Sequence, residues 1–322
     1  MSNQELNLTQ DLDNVEKILS SLLTGSEYEA SVNNMCLQVV KAGGKRIRPR
    51  LVILSWRALN KQNSEYEHML QFAASTELLH TASLVHDDVI DKATIRRGKA
   101  TLNDTDGNHA AVLAGDYLFT RCFFCMHEIN NKELSILLND TLAALVMGEI
   151  NQLHNQGKID ITIPEYEQTI YAKTGALFEL ATAGCAILNN EPQNIVDAMK
   201  EYGKQLGIAF QVADDMLDYT SSTEHLGKSI GEDLEDGRIT LPLILALRDC
   251  DANEKSKLER AITECNLEYV LDIINRTGSI AKCQEFALQA VDKAINAIDL
   301  LDDTPYKAEL GKLAFKAANR SK

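Results

Sequence analysis

Asp87-Asp88-Val89-Ile90-Asp91 and Asp214-Asp215-Met216-Leu217-Asp218 carry one carboxylate pattern twice, each time at the end of an apolar run with helical spacing. Residues four apart share a helix face, so Asp87 points with Asp91 and Asp214 with Asp218. Like charges at that spacing destabilise an isolated helix by about 0.2–0.5 kcal/mol per pair. A cation bound between them removes the repulsion. All the donors are oxygens, with no Cys or ligand-spaced His beside them, and that set suits Mg²⁺ rather than zinc.

The chain has a net charge of −15, so clusters of Lys and Arg stand out. Gly44-Lys45-Arg46-Ile47-Arg48-Pro49-Arg50 follows a Gly-Gly break, and Arg96-Arg97-Gly98-Lys99 lies just past the first acidic motif. Lys173-Thr174-Gly175 interrupts a helical pattern, and Lys228 and Arg238 follow the second motif. For Arg50 and Lys99 a solvated face is the better reading. Lys45, Arg48 and Arg97 sit beside glycine or at a helix boundary, where backbone amides and guanidinium forks can embrace an oxyanion. Mg²⁺ is commonly held by one or two carboxylates plus substrate phosphates, so the combination points to a diphosphate substrate. Helical phase adds His80, which lies nearly in line with Asp87 and Asp91, and Gln211, which shares a face with Asp214, Asp215 and Asp218. His86 adjoins the first motif but has the phase of a packing residue.

The elements that must position these groups are helices. Proline is absent from Leu51 to Ile163, and apolar residues recur at three and four, as in Leu78, Leu79, Ala82, Leu84 and Val85. Thr162-Ile163-Pro164-Glu165 reads as a capping box with an early Pro, and Thr304-Pro305 as a cap followed by Pro at the first helical position. Breaks fall near Gly43-Gly44, Gly98 to Gly107, Gly157-Lys158, Asn189 to Pro192, and Ser221 to Gly237. No stretch reads as a linker, so one all-α bundle of about ten or more helices, a single domain over residues 1–322, is expected. Cys122 and Cys125 form a C-x-x-C with no second pair, inside an apolar helical pattern, and read as core thiols.

In order along the chain, GGKRIRP from Gly43, LLHTASLVHDDVIDKATIRRGKAT from Leu78, AGDYLFTR from Ala114, YAKTGALFE from Tyr171, FQVADDMLDYT from Phe210 and GKSIGEDLEDGRITLP from Gly227 resemble the trans-type polyprenyl diphosphate synthase family. The resemblance covers nearly the whole chain. It implies the isoprenoid synthase type of fold, with helices around a deep central cavity. It also implies about three Mg²⁺ per active site, held by Asp87, Asp88 and Asp91 on one wall and by Asp214, with Asp215 and Asp218 nearby, on the other. Arg96, Lys173, Thr174, Gln211 and Lys228 would contact an allylic diphosphate such as farnesyl diphosphate, while Lys45, Arg48, His80 and Arg97 would hold isopentenyl diphosphate. Arg238 stands where the family usually has Lys, and Glu232 where it usually has Asp; Arg is not a neutral replacement for Lys at a tight phosphate site. Asp87, Asp88, Asp91, Arg96, Lys173 and Lys228 would be the catalytic set.

Residues four and five before Asp87 project down the helix into the path of a growing tail. These are Ser83 and Ala82, both small. In the resembled family large aromatics there stop growth early, so a long product is expected, with Phe123, Met126 or Met147 forming the floor. A helical terpene cyclase would share the first motif but needs no second diphosphate site. A metal phosphohydrolase, suggested by His86-Asp87, would need further His ligands, and a helical scaffold with solvated acid clusters would leave the ordered basic motifs unexplained.

The composition narrows the partners. The acidic balance argues against nucleic acid and against docking on an anionic membrane. No apolar run reaches a membrane span, with Asp140 and Glu179 breaking the best candidates. The polar start, Met1-Ser2-Asn3-Gln4-Glu5, is unlike a signal or transit peptide, and seven scattered Cys suit a reducing cytosol, so a cytoplasmic enzyme is expected. The family likeness further implies a homodimer and an apolar product handed to a membrane enzyme.

Overall fold

Several helices start where a side chain takes over unpaired backbone N–H groups, among them those capped by Thr162, Asp251 and Asn266. Thr162 and Glu165 form the expected capping box, the Thr162 N–H donating to Glu165 at 2.8 Å and the Thr162 hydroxyl accepting the Glu165 N–H at 3.4 Å. Thr304 accepts the Lys307 N–H at 3.1 Å, again as its sequence implies. The computed structural model describes residues 8–59, 65–220 and 231–319, and their contacts divide the chain into two compact units. Each unit is drawn from three discontinuous stretches, so neither is a contiguous segment that could be excised as a domain.

The first unit comprises residues 1–138, 180–197 and 301–310. It contains α1 (Thr9–Leu22), α2 (Ala30–Val40), α3 (Ile47–Leu59) and α4 (Tyr66–Ile90). A two-residue hairpin follows, β1 (Ile95–Arg96) with β2 (Lys99–Ala100), then α5 (Leu102–Thr105) and α6 (Asn108–Ile129). The hairpin was not legible in the hydrophobic pattern. Its register pairs Ile95 with Ala100 and Arg96 with Lys99, and both loop residues are left-handed, Arg97 at φ 52° and Gly98 at φ 73°. That is the geometry of a primed two-residue turn, whose twist matches its strands.

α4 has 25 residues and is buried around most of its circumference by α1, α3 and α6. It packs most extensively on α6, and the approach is set by Gly115: a Cβ there would lie 2.3 Å from the His86 ring nitrogen. His86 Nε2 meets the Val112 carbonyl at 3.1 Å, and the ring stands edge-on to Phe119, which bears out its packing role. Cys122 and Cys125 are buried on α6 and unbridged, with burial raising both thiol pKa values, as expected of core thiols.

The second unit comprises residues 139–179, 198–300 and 311–322. Helix α7 (Lys132–Asn155) begins in the first unit's stretch, and α8 (Ile163–Ile170) lies wholly in the second. A π turn over Tyr171–Gly175 leads into α9 (Ala176–Leu188), and α10 (Gln193–Thr220) follows. Then come α11 (Glu232–Glu235), α12 (Leu241–Asp249), α13 (Ala252–Thr263), α14 (Leu267–Thr277), α15 (Ser279–Ala297) and α16 (Pro305–Ala318). Leu243, Leu245, Val270, Ile273, Cys283 and Val291 make the core where α12, α14 and α15 meet. Among the described residues no helix is long and apolar enough to cross a membrane.

Candidate active site

In the first unit, Asp87, Asp88 and Asp91 close the last turn of α4. Asp88 is only 5% exposed, and Arg96 donates from Nε to its Oδ1 at 2.5 Å. Burial pushes the Asp88 pKa up while Arg96 works against it. The segment between α4 and the hairpin is pinned through Ala93. Its N–H donates to the Asp88 carbonyl at 2.9 Å, and its own carbonyl accepts from Thr101 Oγ1 at 2.7 Å and Asn103 Nδ2 at 2.8 Å. Arg96 is therefore held against the acidic motif by a fixed turn, beside a small pocket bordered by Thr81, Leu84, Asp88 and Arg97.

Arg97, next along the hairpin turn, points to the Gly-Gly break. Its Nη1 donates to the Gly43 carbonyl, and a Cβ on Gly44 would lie 2.6 Å from that same nitrogen. Gly44 at φ 146° thus supplies both the turn and the space. His80 and Arg48 keep part of their surface open, yet neighbouring atoms strip them of water. Burial drives the His80 pKa well below 6.5, and Arg48, Arg97, Arg96 and Arg46 add to the effect, so the ring is neutral at pH 7. Burial likewise lowers Arg48 to about 10 and depresses Arg97. Cations destabilised in this way favour an incoming anion. Lys45 stands exposed at the edge of the group.

Arg46 is a different matter. At φ 46° it turns inward, with Nε 2.5 Å from Glu16, Nη1 2.7 Å from Glu77 and Nη2 donating to the Val40 carbonyl at 2.7 Å. It ties α1, the end of α2 and α4 together beneath the basic group.

In the second unit, the π turn carries Lys173 and Thr174. Two glycines meet there: a Cβ on Gly207 of α10 would fall 2.5 Å from the Gly175 Cα, so the backbones touch. Lys173 Nζ is held by Glu149 at 2.6 Å and Gln152 at 2.8 Å, both from α7. Thr174 donates to Gln211 Oε1 at 2.7 Å, and Gln211 donates from Nε2 to Asp215 Oδ1 at 2.8 Å. Asp215 Oδ2 accepts the Tyr166 hydroxyl at 2.6 Å. Asp214 lies beside it on α10.

Asp218 accepts the backbone N–H groups of Glu232 and Asp233 at 3.2 Å each, so it caps α11. Burial raises the pKa of Asp233 well above the usual range, reinforced by Asp215 and Asp218, and Arg238 opposes it from 3.8 Å. Arg238 also pairs with Asp236 at 3.2 Å. Lys228 lies outside the described residues. The residues that the sequence did not single out are Tyr166, Glu149, Gln152 and Asp233. Only Asp233 had a local signal, in the quoted Gly-Glu-Asp-Leu-Glu-Asp-Gly-Arg run.

Of the tail-facing set, Ala82 and Met126 are buried and Ser83 is half-buried, its hydroxyl donating to the His80 carbonyl at 2.9 Å. Phe123 is 45% exposed and Met147 53%.

Among the described residues no three His, Cys, Asp or Glu side chains converge to form a metal cage. Mg²⁺ commonly keeps waters and completes its shell with substrate phosphate. Asp87, Asp88 and Asp91 in the first unit, and separately Asp214 in the second, carry oxygen donors of the kind such an ion takes.

The sequence pattern of the polyprenyl synthetase family matches residues 29–274. The chain is 38% identical to the octaprenyl diphosphate synthase of Escherichia coli K12 over 295 residues, 90% of each chain. It is also similar to the crystal structure of a decaprenyl diphosphate synthase from Rhodobacter capsulatus, with TM-score 0.90, 32% identity, and 97% and 96% of the two chains covered. A polyprenyl synthase from Caulobacter crescentus, complexed with calcium and isoprenyl diphosphate, matches with TM-score 0.89, 31% identity, and 97% and 95% coverage.

Proposed function

The chain belongs to the polyprenyl synthetase family and is a long-chain prenyltransferase, and from that premise we propose that it is an octaprenyl diphosphate synthase. It extends an allylic diphosphate, farnesyl or similar, with successive isopentenyl diphosphates, and its product serves quinone side chains. One observation carries the reading: half-buried Arg48 and Arg96 and exposed Arg97 gather positive charge around His80, beside the carboxylate of Asp88. Two diphosphates then have two kinds of host, one basic and one metal-bearing, as a condensation requires.

The residue roles follow. Lys45, Arg48, His80 and Arg97 take isopentenyl diphosphate, and the neutral ring adds a hydrogen-bonding nitrogen without adding to the crowd of positive charge. Asp87, Asp88 and Asp91, and on the second motif Asp214, would hold the Mg²⁺ ions, about three by the family likeness, that accompany the allylic diphosphate. When bound, the metal supplies the positive charge that stabilises the departing diphosphate. By the family likeness Arg96, held by Asp88, and Lys173, held by Glu149 and Gln152, would add preorganised charge for the allylic diphosphate, a role that Thr174, Gln211, Lys228 and Arg238 would share. The isopentenyl double bond attacks the allylic cation, and the proton lost passes to the released diphosphate, so no protein base is needed.

The chain acts as a cytoplasmic homodimer and passes its product to a membrane enzyme. Val146, Ile150 and Leu153 run exposed along one face of α7, and Leu113 and Phe124 along one face of α6, which supports burial of both faces against a second copy. The full chain incubated with farnesyl diphosphate, isopentenyl diphosphate and Mg²⁺ is expected to yield octaprenyl diphosphate by mass analysis. Products ending at farnesyl or geranylgeranyl length would overturn the long-chain reading. Sedimentation at micromolar concentration checks the dimer.

A further inference from the structure

One buried hydroxyl has no place in the chemistry above. Tyr166 on α8 is 4% exposed, and its hydroxyl sits 2.6 Å from Asp215 Oδ2. Tyr166 is the donor, and burial raises the Asp215 pKa to about 7. Asp215, itself 5% exposed, has its other oxygen occupied by Gln211 Nε2 at 2.8 Å, and Gln211 Oε1 accepts from Thr174 at 2.7 Å. The donors of the string Tyr166–Asp215–Gln211–Thr174 therefore converge on Asp215 from both ends. The Gln211 amide is turned so that its nitrogen meets Asp215 and its oxygen meets Thr174. One Nε2 hydrogen is spent on Asp215, and the second stays available to a ligand.

We propose that Tyr166 is a positioning residue for the allylic diphosphate, acting through Asp215 to fix which end of the Gln211 amide faces the ligand. Asp215 is then the hub of this string rather than a metal ligand, since both of its oxygens are engaged and little of it meets solvent. Asp214 supplies the metal-binding carboxylate of that motif. Without the Tyr166 hydroxyl, Asp215 is free to rotate, Gln211 loses its fixed orientation, and an amide oxygen facing a diphosphate repels it. The proposal rests on the reading of Lys173, Thr174 and Gln211 as hosts of the allylic diphosphate.

The test uses the full chain with Tyr166→Phe, which keeps the ring and removes the hydroxyl. The KM for farnesyl diphosphate is expected to rise roughly tenfold, the size of losing one well-aligned polar contact, while kcat and the KM for isopentenyl diphosphate stay within about twofold. Manganese binding with inorganic pyrophosphate, followed by electron paramagnetic resonance, gives a readout apart from turnover. Asp214→Asn should lose a pyrophosphate-dependent ion, whereas Tyr166→Phe and Asp215→Asn should keep the ion count and show only weaker pyrophosphate affinity. Equal kinetic constants for wild type and Tyr166→Phe, or loss of an ion in Asp215→Asn, would overturn the proposal. If Tyr166→Phe loses its helical circular dichroism, the isosteric Asp215→Asn carries the kinetic test alone; a uniform loss across both substrates then counts against it. A wild-type chain that elongates nothing sinks the enzymatic reading instead, so the two failures are distinct.

Discussion

Two arginines in Lys45-Arg46-Ile47-Arg48 look interchangeable in the sequence and do opposite work in the fold. Arg46 is consumed by Glu16 and Glu77, whereas Arg48 is desolvated beside His80. Nothing local distinguishes them, because Glu77 is 31 residues away and its burial is set by α4 packing. Arg46→Met should therefore act on stability: Glu77 is 3% exposed, and removing the partner of a buried charge costs about 3–5 kcal/mol. Urea unfolding should show that loss; a change under 1 kcal/mol would mean that Glu77 finds a new partner. His80 gives a pH signature. Its folded pKa lies well below 6.5 and its unfolded pKa at 6.5, so below pH 6.5 the unfolded chain binds a proton that the folded chain refuses. The associated stability is whole above pH 6.5 and drains away as the pH falls, at up to about 1.4 kcal/mol per pH unit. Melting temperatures from pH 7.5 to 5.5 should fall less steeply in His80→Gln than in the parent, and parallel curves would mean that His80 protonates normally in the fold.

At the scale of elements, what the sequence made legible is what short-range chemistry encodes. The capping box at Thr162, the cap at Thr304, the helical phase of His86 and the helix-terminal position of Asp87, Asp88 and Asp91 are all fixed by neighbours within one or two turns. The π turn at Tyr171–Gly175 is not. The glycine against which it packs, Gly207, lies a whole helix later, and the backbones of Gly175 and Gly207 touch. Such bulges recur at functional sites because they re-aim side chains within a helix. Gly207→Ala puts a methyl 2.5 Å from the Gly175 backbone, where no flexible side chain can yield. Overpacking of this kind costs about 1–3 kcal/mol, and it should push Lys173 and Thr174 off Glu149, Gln152 and Gln211. The KM for the allylic substrate should rise at least fivefold, with the isopentenyl KM changing far less; two KM values moving together would show a general loosening instead.

For the whole molecule, the all-α class was readable because apolar spacing at three and four persists along the chain, while the split of contacts into two interleaved units was not, since it depends on which distant stretches pack together. Product length belongs to this scale too, as it reports the space that a packed assembly of helices leaves for a tail. Ala82 is fully buried in α4, and burial has two readings: solid core, or the lining of a channel filled by the tail in turnover. Ala82→Phe separates them. In solid core the added ring has nowhere to go, so the melting temperature collapses and whatever survives makes the parent product. In a channel lining, the ring occupies the tail's path, stability falls by no more than about 1–3 kcal/mol, and growth stops several isoprene units early. Half-buried Ser83 sits one residue on and should tolerate Phe at lower cost, so Ser83→Phe is expected to shorten the product as well. Chromatography of the hydrolysed products, read beside each variant's melting temperature, decides the matter. An unchanged length distribution in both stable variants would move the gate away from α4 and toward Met126 of α6.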